Sequence, residues 1–189
     1  MPEYPAEPTA CVDEKSAVKK FAPLIRAVVD FPKPGITFRD VTPLLADAEA
    51  FADCIHALAE PWRDQHVQIV CGIEARGFIF GVALAQKLRA GFVPLRKPGK
   101  LPPPVMTVDY QLEYGSDQLE ASSDTLQLGQ RVLIVDDVLA TGGTLVAAST
   151  LIERLGGNVV GASVLIELDA LNGRSRWPAG SLLHSLMHY

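Results

Sequence analysis

An α/β fold with one parallel sheet flanked by helices is the architecture this sequence predicts, and three observations predict it. The run Val132-Leu133-Ile134-Val135 is apolar without a break, the pattern of a strand buried on both faces. It ends on two adjacent acids, Asp136 and Asp137, and the small-residue loop Ala140-Thr141-Gly142-Gly143-Thr144 follows closely. Strand-sized apolar runs alternate with amphipathic helix-sized ones along most of the chain, which is how parallel strands and their crossover helices read.

Residues 1–13 are proline-rich and read as a loose segment ahead of a single domain over 14–189. Val18, Phe21, Leu24, Ile25 and Val28 lie at helical spacing, which predicts a helix over 14–29 with Pro23 as an irregularity. Phe31-Pro32-Lys33-Pro34-Gly35 breaks that helix and runs extended. Phe51, Cys54, Ile55 and Leu58 predict a second helix. Residues 67–71 predict a short strand, 77–88 a helix stopped by Gly91, and 92–95 the next strand. Residues 96–118, with prolines at 98, 102, 103 and 104, read as a long mobile excursion with some strand character, the kind of loop that serves as a lid. Residues 131–136 form the strand that ends on the acids. Leu145, Ala148, Leu151, Ile152 and Leu155 then line one side of a helix that stops at Gly156-Gly157. Residues 159–168 are a further apolar strand. The chain shows no internal repeat and no second domain.

Composition narrows the function. The 189 residues are enough for one sizeable core, and 48% hydrophobic with 21% charged residues is ordinary for a globular protein. A formal net charge of −5 without a long basic run argues against nucleic acid as the main partner. The apolar stretches are strand-sized, so no membrane span is expected, and residues 1–16 lack the apolar core of a signal peptide. Cys11, Cys54 and Cys71 form no C-x-x-C pair, and an odd, scattered set fits a reducing cytoplasm better than a disulfide framework.

Ligands in open α/β sheets gather beyond the carboxyl ends of the strands, where Asp136 and Asp137 fall. Gly142 and Gly143 let backbone N–H groups close on an anion, Thr144 adds a hydroxyl, and the helix start behind them favours a phosphate. The segment therefore combines an anion cradle with paired carboxylates able to accept from sugar hydroxyls. A P-loop NTPase would need G-x-x-x-x-G-K-[ST] and a dinucleotide site G-x-G-x-x-G, and the chain has neither. Acids that cap backbone and glycines that only turn the chain would account for each residue singly, but not for the whole run. A second strand–turn–helix junction, Gly72-Ile73-Glu74-Ala75-Arg76-Gly77, places the Arg76 guanidinium at a helix start, where it can hold an anion. Arg96, Lys97 and Lys100 add cations just after a strand. Each of these is ordinary surface charge in isolation; beside a phosphate cradle they offer a second anion pocket. His184 and His188 are four apart without a Glu after the first or an evident third ligand, which argues against zinc. Met106, Trp62 and Trp177 carry no functional signal.

The run from Val132 to Thr144 resembles the 5-phosphoribosyl-1-pyrophosphate (PRPP) motif of the type I phosphoribosyltransferases. Phe31-Pro-Lys-Pro-Gly-Ile-Thr-Phe-Arg-Asp40, Glu74-Ala-Arg-Gly-Phe78, Arg96-Lys-Pro-Gly-Lys-Leu-Pro102, Leu112-Glu-Tyr-Gly115 and Glu167-Leu-x-x-Leu-x-Gly-Arg174, in that order, are similar to the adenine phosphoribosyltransferase family. The likeness runs from about residue 30 to 189, and residues 1–29 match less distinctively. Relatives acting on 6-oxopurines place an acid where this chain has Ala140, and the orotate enzymes lack the Phe-Pro-x-Pro-Gly and Leu-Glu-Tyr-Gly blocks.

The resemblance implies a type I phosphoribosyltransferase fold with a small hood, mainly from 14–45, and a lid over about 96–118. It implies purine salvage, with the phosphoribosyl group of PRPP passed to N9 of adenine to give AMP and pyrophosphate. Ala140, Thr141, Gly142, Gly143 and Thr144 would take the 5-phosphate, and Asp136 and Asp137 the ribose. Glu74, Ala75, Arg76, Arg96, Lys97, Lys100 and Tyr114 would take the pyrophosphate. Thr37, Phe38, Arg39 and Val138 would take adenine, with Glu113 and Arg76 catalytic. Mg²⁺ would arrive with PRPP, held mainly by the substrate and with no direct protein ligand. Family members are cytoplasmic homodimers without nucleic-acid or membrane partners. Two other readings stay open: a phosphoribosyltransferase for another base such as xanthine or orotate, and a non-catalytic PRPP-binding regulator.

Overall fold

The computed structural model describes residues 19–111 and 116–189. Its strands are β1 (Arg26–Val29), β2 (Thr37–Asp40), β3 (Ile69–Ile73), β4 (Gly91–Leu95), β5 (Val105–Gln111), β6 (Ser116–Ser122), β7 (Arg131–Leu139), β8 (Asn158–Glu167) and β9 (Leu182–His188). Its α-helices are α1 (Thr42–Ala46), α2 (Ala48–Ala59), α3 (Gly77–Leu88) and α4 (Gly143–Arg154). Five strands form one sheet in the order β4-β3-β7-β8-β9, and every pairing in it is parallel.

The apolar run is the middle strand, and its side chains alternate between two cores as a strand's period of two requires. Leu133 and Val135 pack with Cys54 and Leu58 of α2 and Phe80 and Leu84 of α3. Val132 and Ile134 pack on the other face with Leu145, Ala148, Leu151 and Ile152 of α4. The sheet is thus covered on both sides, as its continuous hydrophobicity predicts. Asp47 starts α2 by accepting a 3.0 Å hydrogen bond from the Ala50 N–H, an ordinary N-cap. Among the described residues no helix is long and apolar enough to cross a membrane.

Three elements differ from the sequence reading. The helix expected over 14–29 is not continued. Residues 19–21 are helical, Pro23 falls within a 3-10 turn at Ala22–Leu24, and Arg26–Val29 is a strand antiparallel to β2. Pairing supplies what periodicity did not count: β-branched Val28 and Val29 oppose Phe38 and Thr37, and Arg26 pairs with Asp40 at 2.5 Å. The excursion after β4 is in good part a hairpin of β5 and β6, whose Val108, Tyr110, Leu119 and Ala121 are buried against α4. The Leu112-Glu-Tyr-Gly115 block lies outside the described residues. The motif strand runs on to Leu139, because β8 continues beside it and pairs Val138 with Ile166 and Leu139 with Glu167. On the other side its pairing with β3 ends at Val135. The two acids therefore stand past the end of one neighbour while still braced by the other. The edge strand β9, Leu-Leu-His-Ser-Leu-Met-His, has no β-branched residue and so carries little strand signal in the sequence.

Candidate active site

The sheet order places a switch point between β3 and β7. From β3 the chain passes through α3 to β4 on one side; from β7 it passes through α4 to β8 on the other. A crevice opens at such a point, beyond the carboxyl ends of both strands. The two strand–turn–helix junctions singled out in the sequence, residues 74–76 and 140–142, are the loops at its rim.

Asp137 is 6% exposed and Asp136 is half-buried. Asp136 Oδ1 accepts from the Asp137 backbone N–H at 2.8 Å. Arg76 Nε lies 2.8 Å from Asp137 Oδ2, yet that oxygen is buried and accepts no hydrogen bond from the described residues. Burial, with the Asp137 charge beside it, holds the Asp136 carboxyl well above the usual carboxylate range. Burial raises Asp137 as well, while Arg76 pulls it back. The pair is thus a desolvated acceptor site with one cation at its mouth.

The loop beyond the acids turns through Gly142 at φ +80°, directly before the first turn of α4. An L side chain rarely adopts that backbone, so the glycine is needed at 142; Gly143 already belongs to the helix and is buried. Ala140, Thr141 and Thr144 are half-buried around the turn.

The basic loop after β4 meets the 74–76 turn through Glu74. Its Oε2 accepts from the Lys97 backbone N–H at 3.0 Å and from Arg96 Nε at 3.2 Å, and its Oε1 pairs with Lys100 Nζ. These contacts bring the Glu74 carboxyl down to about 2, against the cost of its own burial. Lys97 Nζ turns to Asp117 and to Tyr110 Oη, 3.0 Å away. Backbone bridges between Arg96 and Glu120, and a 3.1 Å bond from the Gly99 N–H to Glu120 Oε2, fasten the loop to β6. The structure therefore brings Arg76, Arg96, Lys97 and Lys100 to the rim with carboxylates as their partners. The Glu74 side chain faces these cations and ties the loop to its turn. Glu74, Asp117 and Glu120 as anchors of this loop were not legible in the chain, since their contacts span twenty or more positions for each of the bonds from Lys97 and Gly99.

Thr37, Phe38 and Arg39 lie on β2, and Val138 on β7. Phe38 meets Phe31 edge-on with ring centroids 5.3 Å apart, and the Arg76 guanidinium lies 4.7 Å from its centroid. Arg39 stacks on the Tyr189 ring at 3.9 Å, and its buried Nε has no hydrogen-bond partner among the described residues. Ala75 is exposed at the top of its turn. Glu113 and Tyr114 lie outside the described residues.

A phosphoribosyl transferase domain family model matches residues 40–180. An adenine phosphoribosyltransferase of Xanthomonas axonopodis pv. citri is 59% identical over 153 residues, 81% of this chain and 82% of its own. The crystal structure of adenine phosphoribosyltransferase from Rhodothermus marinus matches with a TM-score of 0.89 at 50% identity, over 93% of this chain and 99% of that one. The Saccharomyces cerevisiae enzyme, crystallised with adenine and a dideoxy-imino-altritol bisphosphate, matches at 0.84 and 35% identity over 91% and 99% of the two chains.

Proposed function

The chain belongs to the adenine phosphoribosyltransferases, enzymes of purine salvage that convert adenine and PRPP to AMP and pyrophosphate, and on that premise we propose how its residues divide the work. The observation that carries the assignment is the buried Asp137 carboxylate at the switch point of the sheet, ion-paired with Arg76 but accepting no hydrogen bond at Oδ2 from the described residues, followed five positions on by the left-handed turn at Gly142. A buried carboxylate with accepting capacity left over and an anion turn on the loop that follows it suit a ribose hydroxyl and a 5-phosphate of one substrate.

Residues 140–144 take the 5-phosphate, and Asp136 and Asp137 accept from the ribose hydroxyls. The 74–76 turn, Arg96, Lys97, Lys100 and Tyr114 take the pyrophosphate. Thr37, Phe38, Arg39 and Val138 take adenine, the base that the yeast relative holds together with a bisphosphate ligand. Matched hydrogen bonds to the 6-amino edge would be lost on a 6-oxopurine, and Ala140 offers that purine no acid.

The bond from ribose C1 to pyrophosphate breaks with oxocarbenium-like charge while adenine N9 attacks, and Glu113 takes the purine proton. Negative charge grows on the departing diphosphate. Arg96 and Lys100 are already held together on Glu74, and Arg76 is held on Asp137. Preorganised cations of this kind stabilise developing charge without having to reorient. Asp136 and Asp137 lie near the cationic sugar. The crevice offers hydroxyl acceptors rather than a closed set of metal ligands, which fits an ion that travels with its substrate. Magnesium bound to PRPP oxygens and water would neutralise diphosphate charge. Shielding of C1 from water would fall to the part of the 96–118 excursion that is not packed in the core, since Val108 and Tyr110 are buried. With this reading go a cytoplasmic location and a homodimer.

The test is a radiolabelled adenine assay with and without PRPP, with hypoxanthine, guanine, xanthine and orotate in parallel. Adenine is expected to exceed hypoxanthine by about 10²-fold or more in kcat/KM. Comparable turnover of another base would reassign the substrate, and PRPP binding without turnover of any base would leave a regulator.

A further inference from the structure

The block Glu167-Leu-x-x-Leu-x-Gly-Arg174 lies outside the residues that meet the substrates. Its glycine, Gly173, lies against the 140–142 loop. A Cβ built on Gly173 would overlap the Ala140 carbonyl oxygen and lie 2.9 Å from Gly142 N. A Cβ built on Gly142 would lie 3.1 Å from the Gly173 carbonyl carbon. The two backbones touch without a side chain between them, and no residue but glycine fits at 173.

The turn that carries Gly173 is tied down by its neighbour. Arg174 Nε donates to Glu167 Oε1 at 3.0 Å, and Nη2 to Glu167 Oε2 at 2.5 Å. Nη1 donates to the Leu183 carbonyl at 2.7 Å, and Nη2 also to Ser185 Oγ at 2.9 Å. Ser185 Oγ in turn donates to Glu167 Oε2 at 2.5 Å. Glu167 is 5% exposed and pairs across the ladder with Leu139, the residue just before the loop. A forked arginine–carboxylate pair fixes direction as well as distance. The contacts thus close a ring: loop root at Leu139, Glu167, Arg174, Gly173, and back to the loop at Gly142.

We propose that Gly173 and Arg174 are positioning residues for the 5-phosphate loop: the turn at 172–174 is the floor on which Ala140–Gly142 rests, and the Arg174–Glu167 pair holds that floor in place. The proposal rests on the reading that residues 140–144 bind the 5-phosphate. Backbone N–H groups converge on a phosphate only while the loop keeps its shape, and a displacement of about 1 Å in such a site can cost about 10²-fold.

The experiment compares Gly173→Ala, Arg174→Gln and Gly142→Val by steady-state kinetics. For the first two, the KM for PRPP is expected to rise about ten-fold or more while the KM for adenine stays within about two-fold. A role confined to stability would lower the melting temperature and the active fraction and leave both KM values alone, which overturns the proposal. So does a folded Gly173→Ala with the parent KM for PRPP when Gly142→Val weakens PRPP. If Gly142→Val also leaves PRPP unaffected, the phosphate reading of the loop falls and the proposal with it. Amide exchange on the unmodified protein, with ribose 5-phosphate as the probe, covers the case in which the variants do not fold. Slower exchange at 140–145 and 171–175 together is the expected result; slowing at 140–145 alone overturns the proposal, and slowing at neither overturns the phosphate reading as well.

Discussion

Arg76 touches the proposed ribose and adenine subsites and belongs to the turn assigned to the pyrophosphate. Its Nε lies 2.8 Å from Asp137 Oδ2, its guanidinium lies over the Phe38 ring, and it shares its turn with Glu74, two positions earlier. The positive charge lowers the carboxyl pKa of both Asp136 and Asp137 against the burial that raises them. Arg76→Gln therefore has a double consequence. Losing one preorganised donor to the leaving group is expected to lower kcat by about 10²–10³. Losing the cation also lets the aspartate pair rise further, so the acidic limb of the pH–rate profile should move to higher pH, because the acids must ionise to accept from the ribose. A profile that keeps its acidic limb while kcat falls would separate Arg76 from the aspartates. Glu113 is assigned by resemblance and lies outside the described residues. Glu113→Gln keeps the shape but loses proton exchange, and kcat is expected to fall by about 10²–10⁴ with little change in PRPP affinity. A near-parent kcat with chemistry rate-limiting would take Glu113 out of the reaction.

At the scale of elements, the basic loop is held to the β3–α3 turn chiefly by one carboxylate. Glu74 titrates from an ordinary value of 4.5 down to about 2 in the folded chain. A depressed carboxyl pKa stabilises the fold above the unfolded value, and that contribution is lost as pH falls from about 4.5 towards 2. Glu74→Gln is expected to lower the urea midpoint at pH 7, and the gap to the parent protein should narrow as the pH falls below about 4.5 and close only towards about 2. A gap that persists unchanged at low pH would show that shape, not charge, holds the loop. The elements that could be read from the sequence are those whose signal is local. The buried strand 131–136, the helix behind it, the 77–88 helix and the 140–144 loop each declare themselves through periodicity or a glycine at a turn. What stayed hidden is what pairing creates. Arg26–Val29 has a helical spacing of apolar residues and becomes a strand only because Thr37–Asp40 lies beside it. The prolines of 96–104 suggested an open excursion, yet the following hairpin fills the core, because Val108, Tyr110, Leu119 and Ala121 alternate onto one face. The site divides in the same way. Asp136, Asp137 and the 140–144 loop are contiguous and legible; the Glu74 anchor and the Gly173 floor depend on contacts between distant segments.

For the molecule as a whole, the question is whether the two layers on the sheet open separately or as one. The described cysteines are placed to answer it. Cys54 lies on α2 in the core below the sheet, and Cys71 lies on β3 in the core above it. Both are 0% exposed, and burial pushes both thiols up to about 12. At pH 8 such a thiol is only about one part in ten thousand thiolate, and the thiolate is the reactive form. Modification in the native protein therefore waits for an opening event that exposes the residue. Leu133 and Val135 serve one core and Val132 and Ile134 the other, so the same strand would have to leave both layers at once. That sharing predicts cooperative opening of the kind expected of a single domain. In a Cys11→Ser protein, Cys54 and Cys71 are expected to label with a disulfide-exchange reagent at equal rates, and both rates should follow the unfolding equilibrium as urea is raised. A Cys71 rate many-fold above that of Cys54 at low urea would mean that α4 and the β5–β6 hairpin lift from the sheet on their own. The covering of the crevice and the stability of the fold would then be separate properties of this chain.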